Sequence, residues 1–574
     1  MDKSAKIQSS LFYLPWDHPT KTNTAPRIKE TTESELELTQ SRCSQPSVLS
    51  SIVNPKTKTA QSCLNLMGKS FSNLPDTIRG QRQIVKSAVS KPFLSTTHHQ
   101  ALDHLYSSFN EIQNSKTFRG KYGYIDFDRF SFLNEIPVVM TLLVMYNVGS
   151  PLFSLLSPIV GALLAYLVLI VRGTQATFTE FVNVLSKRLG WLFSIKKLFD
   201  NSLSFYTRAK VVLTAALYCF SIYQNVKSCR SFIRNYSGVA EIFNALKTTT
   251  ECVSANLERI GKLRKLPQQL ASYVEHAGTM MNPARQVLAS IQSKLPLRLS
   301  SPTNIPLALR LFYKFKHCDM LGTAIRWLCG FGGLLDVYDG LARGVGKGRL
   351  GPYVPTKSFK NAIIRNGYHP TLSDSTSCVK NDIRVGKSIV LTGRNGSGKT
   401  TLAKSVAIVA IIGSQFGVAP CEKAQMPPLD TIRCELNIPD TNERDSLFEA
   451  EGRRCLELIN EVAEKPDSHH LCVFDELFSG TNANEALEAA TGVLTHLNDN
   501  YKVRFLVTTH MHALGANLGS GVSSMAMEIN NDKATHKIVS GVTDSSGARK
   551  TLERIGFSGE QLGEKNEFAK TTAF

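Results

Sequence analysis

The sequence predicts an α/β domain in the carboxyl-terminal part of the chain, preceded by an all-α region and a membrane-spanning segment. Three observations lead to this fold class. Short apolar strands alternate with helices within residues 361–574, which is the pattern of a parallel sheet covered by helices. Apolar residues recur at helical spacing in residues 230–345, as in helices that pack one face into a core. Residues 152–171 form an uncharged apolar stretch.

Composition and net charge indicate what kind of protein this is and what kind of partner it binds. The 574 residues carry a formal net charge of +19, which suits an anionic partner such as nucleic acid or anionic lipid, although basic proteins without such a partner exist. The 12 cysteines include no CxxC pair, so we expect neither a structural metal site nor a disulfide framework. Residues 1–130 are largely polar, and we expect a partly disordered amino-terminal arm with local helices.

A membrane segment is predicted at residues 131–175. Its residues 152–171 lack any charge, and a helix of this length covers the roughly 30 Å hydrocarbon core of a bilayer. A buried core helix is the alternative, but the length and the missing charges favour a membrane span. The apolar residues 136–146 come just before it and are separated from it by a predicted turn, NVGSP. The two stretches are therefore also compatible with a re-entrant pair.

A second span is possible at residues 211–226, within a helical core or lever region predicted for residues 176–360. This stretch is shorter, and its length fits a buried helix equally well. The connection between the two stretches contains Lys187, Arg188, Lys196 and Lys197. A short basic connection prefers the cytosolic side, which argues against a hairpin with an external loop. We therefore predict a single-pass or re-entrant membrane protein whose residues 361–574 are cytosolic.

A phosphate-binding loop is predicted at residues 393–400, which match the pattern GxxxxGK[ST] between an apolar strand and a periodic helix. Backbone N–H groups of such a loop surround phosphates, and the helix N-terminus adds partial positive charge. We expect Lys399 to contact the β- and γ-phosphates of ATP and Thr400 to ligate Mg²⁺. The predicted ATP-binding residues of the loop are Gly393, Arg394, Asn395, Gly396, Ser397, Gly398, Lys399, Thr400 and Thr401.

Two further strands end in residues that suit catalysis. Asp475 and Glu476 follow the apolar residues 471–474, and His510 follows a strand at 505–507. Ligands bind at the carboxyl ends of parallel strands, so we expect Asp475 to hold Mg²⁺ and Glu476 to orient or deprotonate the attacking water. We expect His510 to sense the γ-phosphate. The alternatives, a solubilising acidic pair and a structural histidine, fit less well beside a phosphate loop.

Seven segments, in order, resemble the ATPase domain of the MutS family, which is known for DNA mismatch repair. They read NGYHPTL, KNDI, GRNGSGKTTL, FGVAPCEKAQMPPLDTI, DSLFEAE, DELFSGTN and TTHMHAL. The resemblance implies an α/β P-loop NTPase domain of the MutS and ABC-transporter ATPase type at residues 361–574. It also implies a homodimer with nucleotide sites between subunits, in which Ser446 reaches the partner's nucleotide. The helices at residues 230–345 would resemble the family's core and lever region.

The chain departs from the repair enzymes of this family in having a predicted membrane span and no recognisable mismatch-reading domain. It resembles the short membrane-anchored MutS-like proteins of some bacteria and large DNA viruses. We therefore expect a membrane-anchored, dimeric ATPase that is related to mismatch repair and binds DNA through backbone charge. The alternative is a membrane scaffold or remodelling ATPase that contacts anionic lipid instead of DNA.

Overall fold

The computed structural model describes residues 12–19, 25–42, 45–171, 177, 179–184, 187, 205–291, 304–373, 378–435, 447–531, 533–542 and 556. The chain divides into two compact units. Unit 1 takes residues 1–103, 251–280 and 326–574, and unit 2 takes residues 104–250 and 281–325. Because each unit joins segments that are distant in sequence, the predicted division into four consecutive regions does not coincide with the folded units.

Helices account for most of the described residues before position 346. The α-helices are α1 (Glu30–Glu35), α2 (Val48–Val53), α3 (Lys58–Met67), α4 (Pro75–Ser90), α5 (Thr96–Asn114), α6 (Phe118–Lys121), α7 (Pro137–Val171), α8 (Phe205–Gly261), α9 (Gln268–Met280), α10 (Asn282–Ile291), α11 (Asn304–His317), α12 (Asp319–Gly346), α13 (Lys399–Phe416), α14 (Leu447–Ala463), α15 (Ala483–Asn500) and α16 (Leu514–Asn517).

Strands begin after α12 and form two sheets in unit 1. The strands are β1 (Gly351–Pro355), β2 (Ile363–Gly367), β3 (Asn381–Arg384), β4 (Ser388–Thr392), β5 (Val418–Ala419), β6 (Lys423–Met426), β7 (Thr431–Glu435), β8 (His470–Asp475), β9 (Val503–Thr509), β10 (Val522–Asn530) and β11 (Lys533–Ser540).

The larger sheet has six strands in the order β11-β10-β4-β9-β8-β7. The five strands from β10 to β7 run parallel, and β11 pairs antiparallel with β10. Every residue of β4 is buried, as is nearly every residue of α13, which is typical of a parallel sheet covered by helices. The three predicted strands at 389–391, 471–474 and 505–507 lie within β4, β8 and β9, so their carboxyl ends share one edge.

The smaller sheet has the order β3-β2-β6-β1-β5. Its strand β1 begins at Gly351, about ten residues before the predicted domain boundary at 361. A Cβ atom at Gly351 would lie 2.0 Å from the Glu422 carbonyl oxygen. The glycine therefore allows a close backbone approach.

The amino-terminal segment folds onto unit 1 in its described part, so the prediction of a partly disordered arm is wrong there. Trp16 is 2% exposed, its indole packs edge-on against Phe416 at 5.3 Å between centroids, and its Nε1 donates to Ser70 Oγ at 3.0 Å. The Cys434 N–H of β7 donates to Thr32 Oγ1 at 3.2 Å. The apolar clusters of this segment are too short to fold alone, and α13 and β7 supply the surface that buries them.

Unit 2 contains part of the region 230–345 in which apolar residues recur at helical spacing. Val239, Ile242, Phe243 and Leu246 of α8 are all buried, which confirms that this stripe faces a core. The Phe243 ring lies 5.5 Å from Phe315 of α11. The α8 stripe therefore belongs to the core of unit 2.

Helix α7 is continuous over 35 residues although Pro151 and Pro158 lie inside it. A proline removes the N–H that would bond to the carbonyl four residues earlier. In both cases the preceding serine replaces that donor, since Ser150 Oγ donates to Asn147 O at 3.3 Å and Ser157 Oγ donates to Ser154 O at 2.8 Å. The predicted turn at NVGSP is therefore wrong, and residues 136–146 and 152–171 do not form a re-entrant pair.

Two helices in the described part of the chain are long and apolar enough to cross a membrane, which by itself is weak support for a span. The first is Pro137–Val168 of α7, with a mean hydropathy of 2.0 and no buried residue in its most apolar window. The second is α12, in which 78% of that window is buried. Asp336 and Asp339 of α12 accept backbone N–H bonds, so this part of α12 belongs to the core of unit 1. Helix α8, which contains residues 211–226, is not one of these two candidates.

Candidate active site

The phosphate loop joins β4 to α13 in a conformation that depends on glycine. Gly396 and Gly398 have φ values of 75° and 98°, in the left-handed region that glycine adopts readily. Lys399 is 5% exposed, and its Nζ donates to the Gly393 carbonyl at 2.8 Å. Burial lowers the pKa of this ammonium group, while Glu476 and Asp475 act in the opposite direction.

A cavity of about 370 Å³ opens beside this loop. Its wall includes seven of the predicted ATP-binding residues, which are Arg394, Asn395, Gly396, Gly398, Lys399, Thr400 and Thr401. Ser397 lies just behind the wall, 1% exposed, and its hydroxyl has no hydrogen-bond partner among the described residues. A Cβ atom at Gly393 would approach this hydroxyl to 2.9 Å, so the loop needs glycine there as well.

Thr400 and Asp475 form the part of the site that suits a hard cation. Thr400 Oγ1 donates to Asp475 Oδ2 at 2.8 Å, and the other Asp475 oxygen accepts the Thr508 hydroxyl. The register of β8 and β9 places Asp475 directly opposite Thr508. Hydroxyl and carboxylate oxygens are ligands that Mg²⁺ prefers, so the two residues predicted to hold it are adjacent and of the right chemistry.

Glu476 follows β8 in an unusual backbone conformation. Its φ is 52°, which is uncommon for a residue other than glycine and is concentrated at functional sites. Its N–H donates to the Thr508 carbonyl at 2.9 Å, so pairing with β9 continues through this residue. The carboxylate lines the cavity and is 46% exposed, which leaves it accessible to water.

His510 follows β9 and lies among three of the predicted residues. Its Nε2 is 3.1 Å from Glu476 Oε1, 3.1 Å from Lys399 Nζ and 2.7 Å from Asn395 Oδ1. The structure therefore brings the predicted base, the phosphate-binding lysine and the predicted sensor into one group. Ser446 lies outside the described residues.

Three residues of this region escaped the sequence interpretation. His536 Nδ1 lies 2.8 Å from the Ser397 carbonyl, and Asn381 Nδ2 donates to the His536 carbonyl at 3.0 Å. His369 lines the cavity, and burial, with a contribution from Lys404, lowers its pKa to about 4. His369 and Asn381 lie in segments that the sequence analysis had quoted, NGYHPTL and KNDI. His536 lies on β11, where no motif marks it.

The comparisons with known proteins agree with this geometry. The family described as MutS domain V matches residues 389–552, which include the phosphate loop, Asp475, Glu476 and His510. This part of the chain is similar to MutS domain V. The match confirms the resemblance to the MutS ATPase domain that the sequence motifs indicated.

Curated relatives are similar to about a third of the chain. DNA mismatch repair protein MutS of Pseudothermotoga lettingae is 26% identical over 219 residues, which are 35% of this chain and 26% of that protein. Endonuclease MutS2 of Agathobacter rectalis is 28% identical over 202 residues, 34% of this chain and 25% of that protein. The chain thus spans about a quarter of the length of these curated relatives.

Proposed function

We propose that the chain is a MutS-type ATPase that binds ATP with Mg²⁺ in the cavity beside residues 393–400 and hydrolyses it. The observation that carries the proposal is the position of His510 Nε2, 3.1 Å from both Lys399 Nζ and Glu476 Oε1. A lysine that binds phosphates and a carboxylate that acts on the attacking water must both face the γ-phosphate. One imidazole that contacts both side chains defines the place where that phosphate would lie.

Each residue has a chemical task in this proposal. Lys399 exchanges its bond to the Gly393 carbonyl for contacts with the β- and γ-phosphates, and Glu476 orients a water molecule and accepts its proton. Thr400 and Asp475 would hold Mg²⁺, which would neutralise part of the charge on the phosphate oxygens. Ser397 brings a buried hydroxyl without a described partner, which is available to a phosphate oxygen.

Nucleotide binding by the full chain in detergent tests the proposal. Lys399→Ala should abolish binding of a fluorescent ATP analogue, because the ammonium group supplies the charge contact with the phosphates. Lys533→Ala removes an exposed cation of β11 and should bind as the parent does. Parent-like binding by Lys399→Ala would overturn the assignment of the site.

We propose further that the active form is a homodimer with composite sites. Glu476 and His510 are each 46% exposed, which leaves the site open on one side for a second subunit. Ser446 would reach the nucleotide of the partner, as the MutS resemblance implies. A mixture of Lys399→Ala and Ser446→Ala chains tests this arrangement.

Each variant alone should be inactive, whereas their mixed dimers should regain activity. If Ser446 acts on the partner's site, both defects of a mixed dimer fall in one site and the other site is intact. If Ser446 acts within its own subunit, each site carries one defect and no activity returns. Co-purification through two different affinity tags confirms that mixed dimers have formed.

DNA is the partner that we propose for this ATPase, in a role related to mismatch repair. The support is the net charge of +19 and the MutS domain V, whose relatives include proteins named for DNA mismatch repair. Binding to duplex DNA should weaken steeply with salt, because each phosphate contact releases counterions. Affinity that is constant from low to high salt contradicts this proposal. Stimulation of ATP hydrolysis by anionic liposomes and not by DNA would favour the lipid-contacting alternative.

We also propose that α7 attaches the protein to a membrane, with the MutS domain V in the cytosol. Leu152, Phe153 and Leu155 are more than half exposed, although water would disfavour so large an apolar surface. The protein should stay in the membrane pellet after an alkaline carbonate wash and dissolve in detergent. Release by carbonate would show that α7 does not anchor the chain.

A further inference from the structure

Helices α7 and α8 of unit 2 lie antiparallel to each other. Tyr218 donates its hydroxyl to the Leu155 carbonyl at 2.7 Å, and the Cys229 thiol points to the Val148 carbonyl at 3.5 Å. Moving forward from 148 to 155 on α7 therefore corresponds to moving backward from 229 to 218 on α8. The predicted span at 152–171 and the possible second span at 211–226 are thus neighbours in one hairpin.

The hairpin has an uncharged band with cations at both ends. On α8, residues 211–226 are free of charge and are bracketed by Lys210 and Lys227. Sixteen helical residues cover about 24 Å. Lysine stems extend along apolar surface while their ammonium groups stay in water, so the distance between the two charged levels approaches the roughly 30 Å of a hydrocarbon core.

The exposed surface of α7 at residues 152–171 is apolar over a wide arc. Leu152, Phe153, Leu155 and Val168 are exposed, and at about 100° per residue they spread over more than half of the helix circumference. An amphipathic helix that lies on a membrane surface has one polar face. An exposed apolar arc of this width favours an apolar medium around the helix instead.

We propose that α7 and α8 cross the lipid bilayer together as a two-pass hairpin, so that residue 137 and residue 250 lie on the same side. The proposal rests on the membrane attachment proposed above and specifies its form. A hairpin that only dips into one leaflet would place Arg208 and Lys210, which adjoin the band near the tip, in the hydrocarbon core, where charged side chains are disfavoured. Crossing the bilayer brings these cations to water on the far side.

The basic connection between the helices does not oppose this topology. Orientation follows the difference in Lys and Arg content between the two sides, and the other end of the band is basic too, with Lys227, Arg230 and Arg234. The bond from Tyr218 to Leu155 also fits, because a hydroxyl at this depth needs a partner inside the protein.

Maleimide labelling of the full chain in sealed vesicles tests the topology. The vesicles are oriented with the MutS domain V outside, a membrane-impermeant maleimide is added, and labelled peptides are identified by mass spectrometry. The far-side reporters are Thr177→Cys and Glu180→Cys, and the near-side reporter is Ser237→Cys; all three positions are exposed. Native Cys219, exposed in the hairpin, reports on the band itself.

A two-pass hairpin predicts labelling of Ser237→Cys in intact vesicles and of Thr177→Cys and Glu180→Cys only after permeabilisation. Cys219 should react only after the bilayer is dissolved. Labelling of both far-side reporters in intact vesicles, with Cys219 still protected, would overturn the two-pass topology and leave the membrane attachment intact. Labelling of Cys219 in intact vesicles, together with release by carbonate, would overturn both proposals.

Discussion

The imidazole Nε2 of His510 and the carboxylate Oε1 of Glu476 lie 3.1 Å apart. The two side chains come from the ends of the adjacent parallel strands β9 and β8, so the sheet fixes their separation. The same imidazole nitrogen lies 3.1 Å from Lys399 Nζ. A γ-phosphate that draws Lys399 away would change the contacts of His510, and thereby those of Glu476. This coupling supports our proposal that the histidine senses the γ-phosphate and positions the base.

Glu476→Gln should separate binding from hydrolysis. The amide has nearly the same shape as the carboxylate but cannot accept a proton, so ATP affinity should persist while the hydrolysis rate falls by about 10²–10⁴-fold. We also expect the nucleotide-bound dimer to accumulate, which size-exclusion chromatography would detect. Glu488→Gln, at an exposed position of α15, is the matched control. Parent-like hydrolysis by Glu476→Gln would show that another group acts as the base.

His510→Ala should reduce the hydrolysis rate and leave KM for ATP nearly unchanged. The imidazole contacts Glu476 and Asn395, so its loss would free the base to adopt unproductive positions. We expect a decrease in kcat of about tenfold or more, as for a contact made mainly in the transition state. His496→Ala, at an exposed position of α15, should behave as the parent. A rise in KM with constant kcat would instead mean that His510 serves binding alone.

The chemistry of the site was predictable because it depends on local patterns at strand ends. Residues 393–400 carry a motif with a fixed conformation, and Asp475, Glu476 and His510 follow apolar runs that the sequence predicts as strands. Parallel pairing then brings them to one edge without further information. His536 was not predictable, because its position follows from the antiparallel pairing of β10 and β11, and nothing in the local sequence fixes that register.

The amino-terminal segment shows the limit of composition as a guide. Its polar character predicts disorder when the segment is considered alone. In the structure, Trp16 and Thr32 contact α13 and β7, which lie about 400 residues away in sequence. The buried surface thus depends on a partner that local patterning does not identify.

The turn expected at NVGSP does not form, because the hydroxyls of Ser150 and Ser157 replace the backbone donors that the two prolines lack.

Docking of the amino-terminal segment should be measurable through Glu35. This residue is 4% exposed, and its carboxylate lies 3.5 Å from Arg454 Nη1, which also contacts Glu435 at 3.1 Å. Glu35→Ala should lower the free energy of unfolding of unit 1 by about 1–3 kcal/mol, because it removes a buried carboxylate that pairs with the partly buried Arg454. Glu30→Ala, on the exposed side of the same helix, should change it by less than about 0.5 kcal/mol. Equal effects of the two substitutions in chemical denaturation would contradict the docked arrangement.

His369 should make stability depend on pH. Burial lowers its pKa in the folded state from 6.5 to about 4. Above pH 6.5 the imidazole is neutral in both states, and its contribution to stability is complete. As the pH falls from 6.5 towards 4, the unfolded chain binds a proton that the folded chain does not, so stability decreases, by about 2 kcal/mol at pH 5.

The difference between the parent and His369→Asn in the pH dependence of stability isolates the contribution of His369 from those of other histidines. The variant should lose less stability than the parent between pH 7 and pH 5 in denaturant titrations. The asparagine oxygen can still accept the Thr371 hydroxyl that lies 2.7 Å from His369 Nδ1. Identical pH dependence of the two proteins would mean that His369 titrates normally in the folded state.

Gly398→Ala should damage the phosphate loop through backbone conformation. The φ of Gly398 is 98°, which residues with a Cβ atom rarely adopt, and the new Cβ would lie 3.1 Å from His536 Nδ1. Forcing a left-handed conformation on alanine costs roughly 1–2 kcal/mol, and relaxation of the loop would displace Lys399 from the phosphates. We therefore expect ATP affinity to fall by about tenfold or more. Gly346→Ala is the matched control, because nothing lies within 4 Å of its Cβ position. Parent-like ATP affinity of Gly398→Ala in an equilibrium binding assay would show that the loop tolerates a side chain there and that its left-handed glycine is not required for binding.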